Sequence, residues 1–158
     1  MRLLFFFALI FLPAAVRAEP LTRAGALAIA ETYVGHRWMA AGKNVRHGKD
    51  GAAVSAEAVG IDCSGFVSRC WGLAEKHSTS MLFGIAERLR SADELRPADA
   101  LNTAEGHVLL FVRWLDDEKR RALFYEAAPF SKTRATERTL AELIAAGYVP
   151  LRYRKIRE

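Results

Sequence analysis

Two short segments of this 158-residue chain carry side chains suited to covalent chemistry. The first, Ile61-Asp62-Cys63-Ser64-Gly65-Phe66-Val67, sets a thiol directly behind a carboxylate. The second, Gly106-His107-Val108-Leu109-Leu110-Phe111, sets an imidazole at the start of an apolar run. A thiolate is a strong nucleophile and an imidazole can take and return its proton, so the pair points to a cysteine hydrolase. The partial positive charge at a helix start and a nearby imidazolium both favour the anion. First-turn N–H groups, that of Cys63 included, could hold the oxyanion of a tetrahedral intermediate. Gly65 would let substrate approach the backbone closely.

These groups act together only if local elements position them. Asp62 can cap a helix on which Cys63, Phe66, Val67, Cys70 and Ala74 recur at helical spacing. His107 precedes the β-rich run Val108-Leu109-Leu110-Phe111-Val112-Arg113-Trp114; residues 115–121 form a charged turn, and Ala122-Leu123-Phe124-Tyr125-Glu126 returns as the second strand of a hairpin. A turn centred between Asp116 and Asp117 sets His107 opposite Glu126, whose carboxylate would then orient the imidazole as the third member of a triad. A one-residue slip would turn Glu126 away and leave Tyr125 as the competitor.

Elsewhere, Thr22 caps an alanine-rich helix that stops at Gly35, and residues 36–60 are irregular, with Trp38 as their anchor. A third helix follows Ser80 with Leu82, Ile85, Ala86 and Leu89 as its stripe, and a short helix at 140–146 follows Thr136 and Thr139. The segment Tyr148-Val149-Pro150-Leu151-Arg152-Tyr153-Arg154 alternates like an edge strand, where Pro150 is tolerable. Helices precede strands without βαβ alternation, which favours an α+β domain.

The chain opens with Arg2, an apolar run at 3–12 and Pro13-Ala14-Ala15-Val16-Arg17-Ala18, the pattern of a secretory signal too short to span a bilayer. Cleavage after Ala18 is expected, leaving one domain at 19–158 that is exported to the periplasm or beyond. Loss of Arg2 and Arg17 lowers the net charge from +5 to +3. The remaining excess lies at Arg152, Arg154, Lys155 and Arg157, read as a solvated terminus; no aromatic and basic interleaving points to nucleic acid. Cys63 and Cys70 on one helix lie about 10 Å apart, beyond disulfide reach, so Cys70 is read as a small core residue and Cys63 as a thiol kept free for chemistry. With His77 they match no paired-ligand spacing, and neither a metal nor another cofactor is expected.

The segment Asp62-Cys63-Ser64-Gly65-Phe66-Val67 resembles the D-C-S-G-[FL]-[VT] nucleophile motif of the NlpC/P60 cysteine peptidases, papain-like hydrolases of bacterial cell-wall peptides. Leu95-Arg96-Pro97-Ala98-Asp99 is similar to their L-x-P-G-D segment, with Ala98 replacing glycine, and His107-Val108-Leu109-Leu110-Phe111 to their H-V-[GA]-[IL]-[YF] segment. The resemblance covers about residues 38–126. It implies N-terminal helices packed on a small antiparallel sheet, Cys63 as nucleophile, His107 as general base and acid, and a polar orienting group at Glu126, where the family usually carries His, Asn or Gln. It also implies that Asp62 and Ser64 help bind the amino end of a peptide. The family's Y-x-[WF]-G-G stretch falls on His36-Arg37-Trp38-Met39-Ala40 and keeps only Trp38, so His36 and Trp38 are candidate substrate contacts in an altered pocket. The function implied is cleavage of an amide bond in peptidoglycan stem peptides by a monomer without stable membrane insertion. A thioesterase or acyltransferase of the same superfamily and an inert wall-binding module are the alternatives.

Overall fold

The computed structural model describes residues 21–38 and 61–158. The expected signal segment, and residues 39–60 of the irregular stretch, lie outside the described residues. Helices α1 (Arg23–Thr32), α2 (Cys63–Cys70) and α3 (Thr79–Ile85) come first, followed by strands β1 (Ala86–Arg88), β2 (Ala100–Asn102), β3 (Val108–Trp114), β4 (Arg121–Glu126) and β5 (Arg134–Thr139). Helix α4 (Leu140–Ala145) and strand β6 (Val149–Tyr153) complete the order. Among the described residues six strands join one antiparallel sheet in the order β1-β6-β2-β3-β4-β5, the α+β architecture expected. Among the described residues no helix is long and apolar enough to cross a membrane.

The first four residues of β3 are buried. Alternation sends Val108 and Leu110 into a cluster with Phe66, Val67, Cys70 and Trp71 of the α2 region, and Leu109 and Phe111 into a second cluster with Leu140 and Leu143 of α4. The run His107 introduces is therefore apolar without a break because helices cover both faces of the sheet. Cys70 is fully buried in the first cluster, as expected of a small core residue, and burial pushes its thiol well above the usual range. Trp71 stacks on Tyr153 with ring centroids 5.2 Å apart and donates through Nε1 to the Ala98 carbonyl at 2.9 Å.

Four expectations need correction. The third helix stops at Ile85, because Ala86 is already extended at φ −111° and ψ 159° and pairs with Tyr153; the stripe had run on to Leu89, which packs in the second cluster instead. Strand β6 is internal, flanked by β1 and β2, rather than an edge strand. Pro150 is still tolerated. Its carbonyl accepts from the Leu89 N–H at 3.0 Å, so its nitrogen points the same way and falls past the last β1 pair, Arg88 with Leu151.

The hairpin register is also displaced. Asp116 accepts from the N–H groups of Arg120 and Arg121 at 2.8 Å each, which moves the turn later, and a bulge between Phe111 and Arg113 takes back one residue. Leu110 then pairs with Tyr125, a net shift of two from the expected alignment, so Glu126 lies diagonal to His107 rather than opposite it. A shift of two preserves alternation and keeps Glu126 on the same face. Finally, the C-terminal basic run is not simply solvated: Arg152 donates to the buried Asp99 carboxylate at 2.7 Å.

Candidate functional site

Cys63 is the first residue of α2, partly exposed and unpaired as a thiol. Asp62 holds this end by accepting from the Gly65 N–H at 2.8 Å, while Ser64 Oγ donates to the same oxygen at 3.4 Å. The other carboxylate oxygen of Asp62 is paired with Lys76 Nζ, a partner that nothing in the local spacing announces. Gly65 is buried, and a Cβ there would stand 2.9 Å from the Asp62 oxygen and 3.4 Å from Ile61, so its role is to admit the cap rather than a substrate. Replacing Asp62 with alanine should cost about 1 kcal/mol for the lost cap and lower the midpoint of thermal unfolding by several degrees. An unchanged thermal midpoint by circular dichroism would contradict that assignment.

His107 stands one residue before β3, in a tight loop closed at both ends. Its N–H donates to Thr103 Oγ1 at 2.8 Å, and its carbonyl accepts from the Thr103 N–H at 3.0 Å. Gly106 is needed in that loop because a Cβ would collide with Thr103 Oγ1. The ring directs Nε2 at Glu126 Oε2, 3.2 Å away, and Cys63 is its other neighbour. Burial works against a charge on His107, but the neighbouring Cys63 and Glu126 more than offset it, and its pKa is pushed up to about 9. Glu126 is 1% exposed; burial would raise its carboxyl, yet His107 and Arg138 together hold it below the ordinary glutamate value.

The structure thus brings Cys63, His107 and Glu126 together at one end of the sheet. Trp38 packs against the cluster that Cys63 also borders, with its ring 6.2 Å from that of the fully exposed Phe130. The chain at Trp38 runs along the β4–β5 connection, its N–H donating to the Ser131 carbonyl at 3.0 Å. His36 packs edge-on against Tyr33 at 5.1 Å, and burial lowers its pKa. Ala98, where the similar segment carries glycine, adopts φ +67°, the left-handed region that glycine enters freely.

Sequence reasoning missed three neighbours of the site besides Lys76. Arg138 and Arg134 reach Glu126 Oε1 at 2.7 and 3.7 Å from β5, a strand not expected from the sequence. Tyr148 stands near enough that burial first, then the charges of Glu126 and Cys63, raise its hydroxyl pKa against the pull of Arg138. The cue for the arginines was the alternation Arg134, Thr136, Arg138, which puts both on one face of a strand.

Fold and site together define an α+β domain with a cysteine at a helix mouth and a carboxylate-supported histidine at a strand start. No family model matches the sequence, and no curated protein matches it. Solved structures are. A hypothetical invasion protein of Mycobacterium tuberculosis superposes with a TM-score of 0.59 at 18% identity, over 83% of this chain and 61% of that one. The peptidoglycan hydrolase RipB of the same organism gives 0.58 at 19% identity, over 86% and 65%. An NLP/P60-family protein of Staphylococcus aureus, described as similar to lipoprotein, gives 0.55 at 14% identity, over 90% and 46%. The chain has the papain-like NlpC/P60 fold, and it spans less than two thirds of the length of each of these structures.

Proposed function

We propose that the protein is an exported thiol hydrolase that cleaves an amide bond in peptidoglycan stem peptides, with Cys63 as nucleophile, His107 as acid and base, and Glu126 as the orienting carboxylate. The observation that carries this reading is the imidazole set between a free thiol and a buried carboxylate, its pKa held at about 9 by both. The naming of RipB as a peptidoglycan hydrolase supports the substrate class, and the apolar run at 3–12 supports export.

In the proposed reaction the Cys63 thiolate attacks the carbonyl carbon. Gly65 N–H is committed to Asp62 and Phe66 N–H to the Asp62 carbonyl, so the donors nearest the developing oxyanion are the N–H groups of Cys63 and Ser64. The imidazolium of His107 gives its proton to the departing amine, which leaves a thioester on Cys63. Neutral His107 then takes a proton from water, the hydroxide displaces the thiolate, and the carboxylic product departs. Glu126 stabilises the cation in the first half and fixes which nitrogen carries the proton in the second.

The test is digestion of purified muropeptides, followed by mass spectrometry, with Cys63→Ala as the control. New free amino and carboxyl ends are expected with the wild type and none with the variant. Equal turnover by Cys63→Ala would overturn the mechanism.

A further inference from the structure

We infer that Arg138 is a positioning residue of the proposed reaction, gripping one oxygen of Glu126 so that the other is held toward His107. This rests on the functional reading above. The carboxylate of Glu126 divides its two oxygens cleanly: Oε2 faces His107 Nε2 at 3.2 Å, and Oε1 accepts from Arg138 at 2.7 Å. An ionised carboxylate buried this deeply needs partners on both oxygens, because water cannot supply them.

The backbone fixes where Arg138 starts. It pairs with Ala122 across β4 and β5 and immediately precedes Thr139, the N-cap of α4, so the guanidinium reaches Glu126 along the sheet face from an anchored point. Arg134, directly opposite Glu126 in the register, is the looser companion at 3.7 Å and is more exposed than Arg138. Among the described residues, the titratable and charged groups near Glu126 are therefore His107 before β3, Arg134 and Arg138 on β5, and Tyr148 between α4 and β6, with Cys63 of α2 beyond the imidazole.

Arg138 makes this arrangement robust toward acid. Burial alone would raise the Glu126 carboxyl, and His107 and Arg138 together hold it down. Without Arg138 the carboxyl should titrate at higher pH, and once protonated it no longer stabilises the imidazolium. An arginine that packed on the strand without contacting Glu126 would have no such signature.

The experiment compares wild type, Arg138→Met, Arg138→Lys, Glu126→Gln and the Glu126→Gln/Arg138→Met double variant. Arg138→Met should lower kcat/KM by about tenfold and move its acid limb upward by about one pH unit. Arg138→Lys should restore the limb toward wild type. In the Glu126→Gln background, Arg138→Met should change neither quantity further. Carbon NMR titration of the Glu126 carboxyl in the full-length protein needs no substrate and should show the same upward displacement. An unmoved carboxyl titration in Arg138→Met, or an equal loss of kcat/KM on both backgrounds, overturns the inference. If Arg138→Met fails to fold, Arg138→Gln, neutral but still a donor, is read by the same criteria. A wild type that turns over no muropeptide while its Glu126 titration depends on Arg138 overturns the substrate reading and leaves the clamp standing.

Discussion

Replacing His107 with alanine should lower kcat/KM on stem peptides by about 10²- to 10⁴-fold, with the fold retained. The ring is only partly exposed, and its loop is fastened by the His107 backbone to Thr103, which an alanine keeps. What is lost is the proton donor for the leaving amine and the cation beside the thiolate. The wild-type pH profile should carry the same information. The reactive form has His107 protonated, so kcat/KM should fall as the pH rises through about 9, where the imidazolium deprotonates. Glu126→Gln should bring that alkaline limb to lower pH, because one of the two groups that raise His107 is gone. The sign extends to stability. In the unfolded chain the imidazole returns to its ordinary value near 6.5, so its pairing stabilises the fold fully below that pH, and the contribution is lost as the pH rises through about 9. An alkaline limb in Glu126→Gln that coincides with that of wild type would contradict the assignment of the carboxylate.

The second large effect is expected at a residue outside the proposed catalytic set. Asp99 is fully buried just before β2, where Oδ1 accepts from Arg23 of α1 at 2.9 Å, Oδ2 from Arg152 of β6 at 2.7 Å, and Oδ2 also from the Arg96 N–H at 2.9 Å. One carboxylate thus fastens the first helix, the internal strand β6 and the turn before β2. Alanine in its place leaves the buried guanidinium of Arg23 with Glu158 and the Pro97 carbonyl as its remaining partners. Breaking a buried ion pair from one side costs about 3–5 kcal/mol, a large share of the stability of a small domain. The thermal midpoint of Asp99→Ala should fall by roughly 10 °C or more. A drop of less than about 3 °C in a calorimetric scan would show that the three donors find other partners at little cost.

Much of the site was legible because its signals are local. Asp62 and Gly65 make a cap within four residues, and the apolar run after His107 is unbroken because both faces of β3 are covered. The less legible parts depend on distant partners. Ala86, Glu87 and Arg88 carry no strand pattern and are extended because β6 lies alongside them. The residues of β5 are mostly exposed and polar, so their place beside Glu126 is defined by β4 rather than by their own composition. The hairpin alignment turned on two details outside simple counting, the Asp116 side chain binding its own turn and the bulge after Phe111. Glu126 still meets His107 because the resulting shift was even.

The sheet keeps its two apolar clusters apart, and the site residues and Arg138 straddle it. Cys63 borders the cluster built on α2, Glu126 and Arg138 lie on the α4 face by strand alternation, and His107 stands at the rim between them. Neither half of the molecule holds a working set by itself. Catalytic competence is then a stricter criterion of the native state than secondary structure: a partly folded chain with only one cluster consolidated could keep its helices and most of its strands, yet its thiol would have no imidazole beside it.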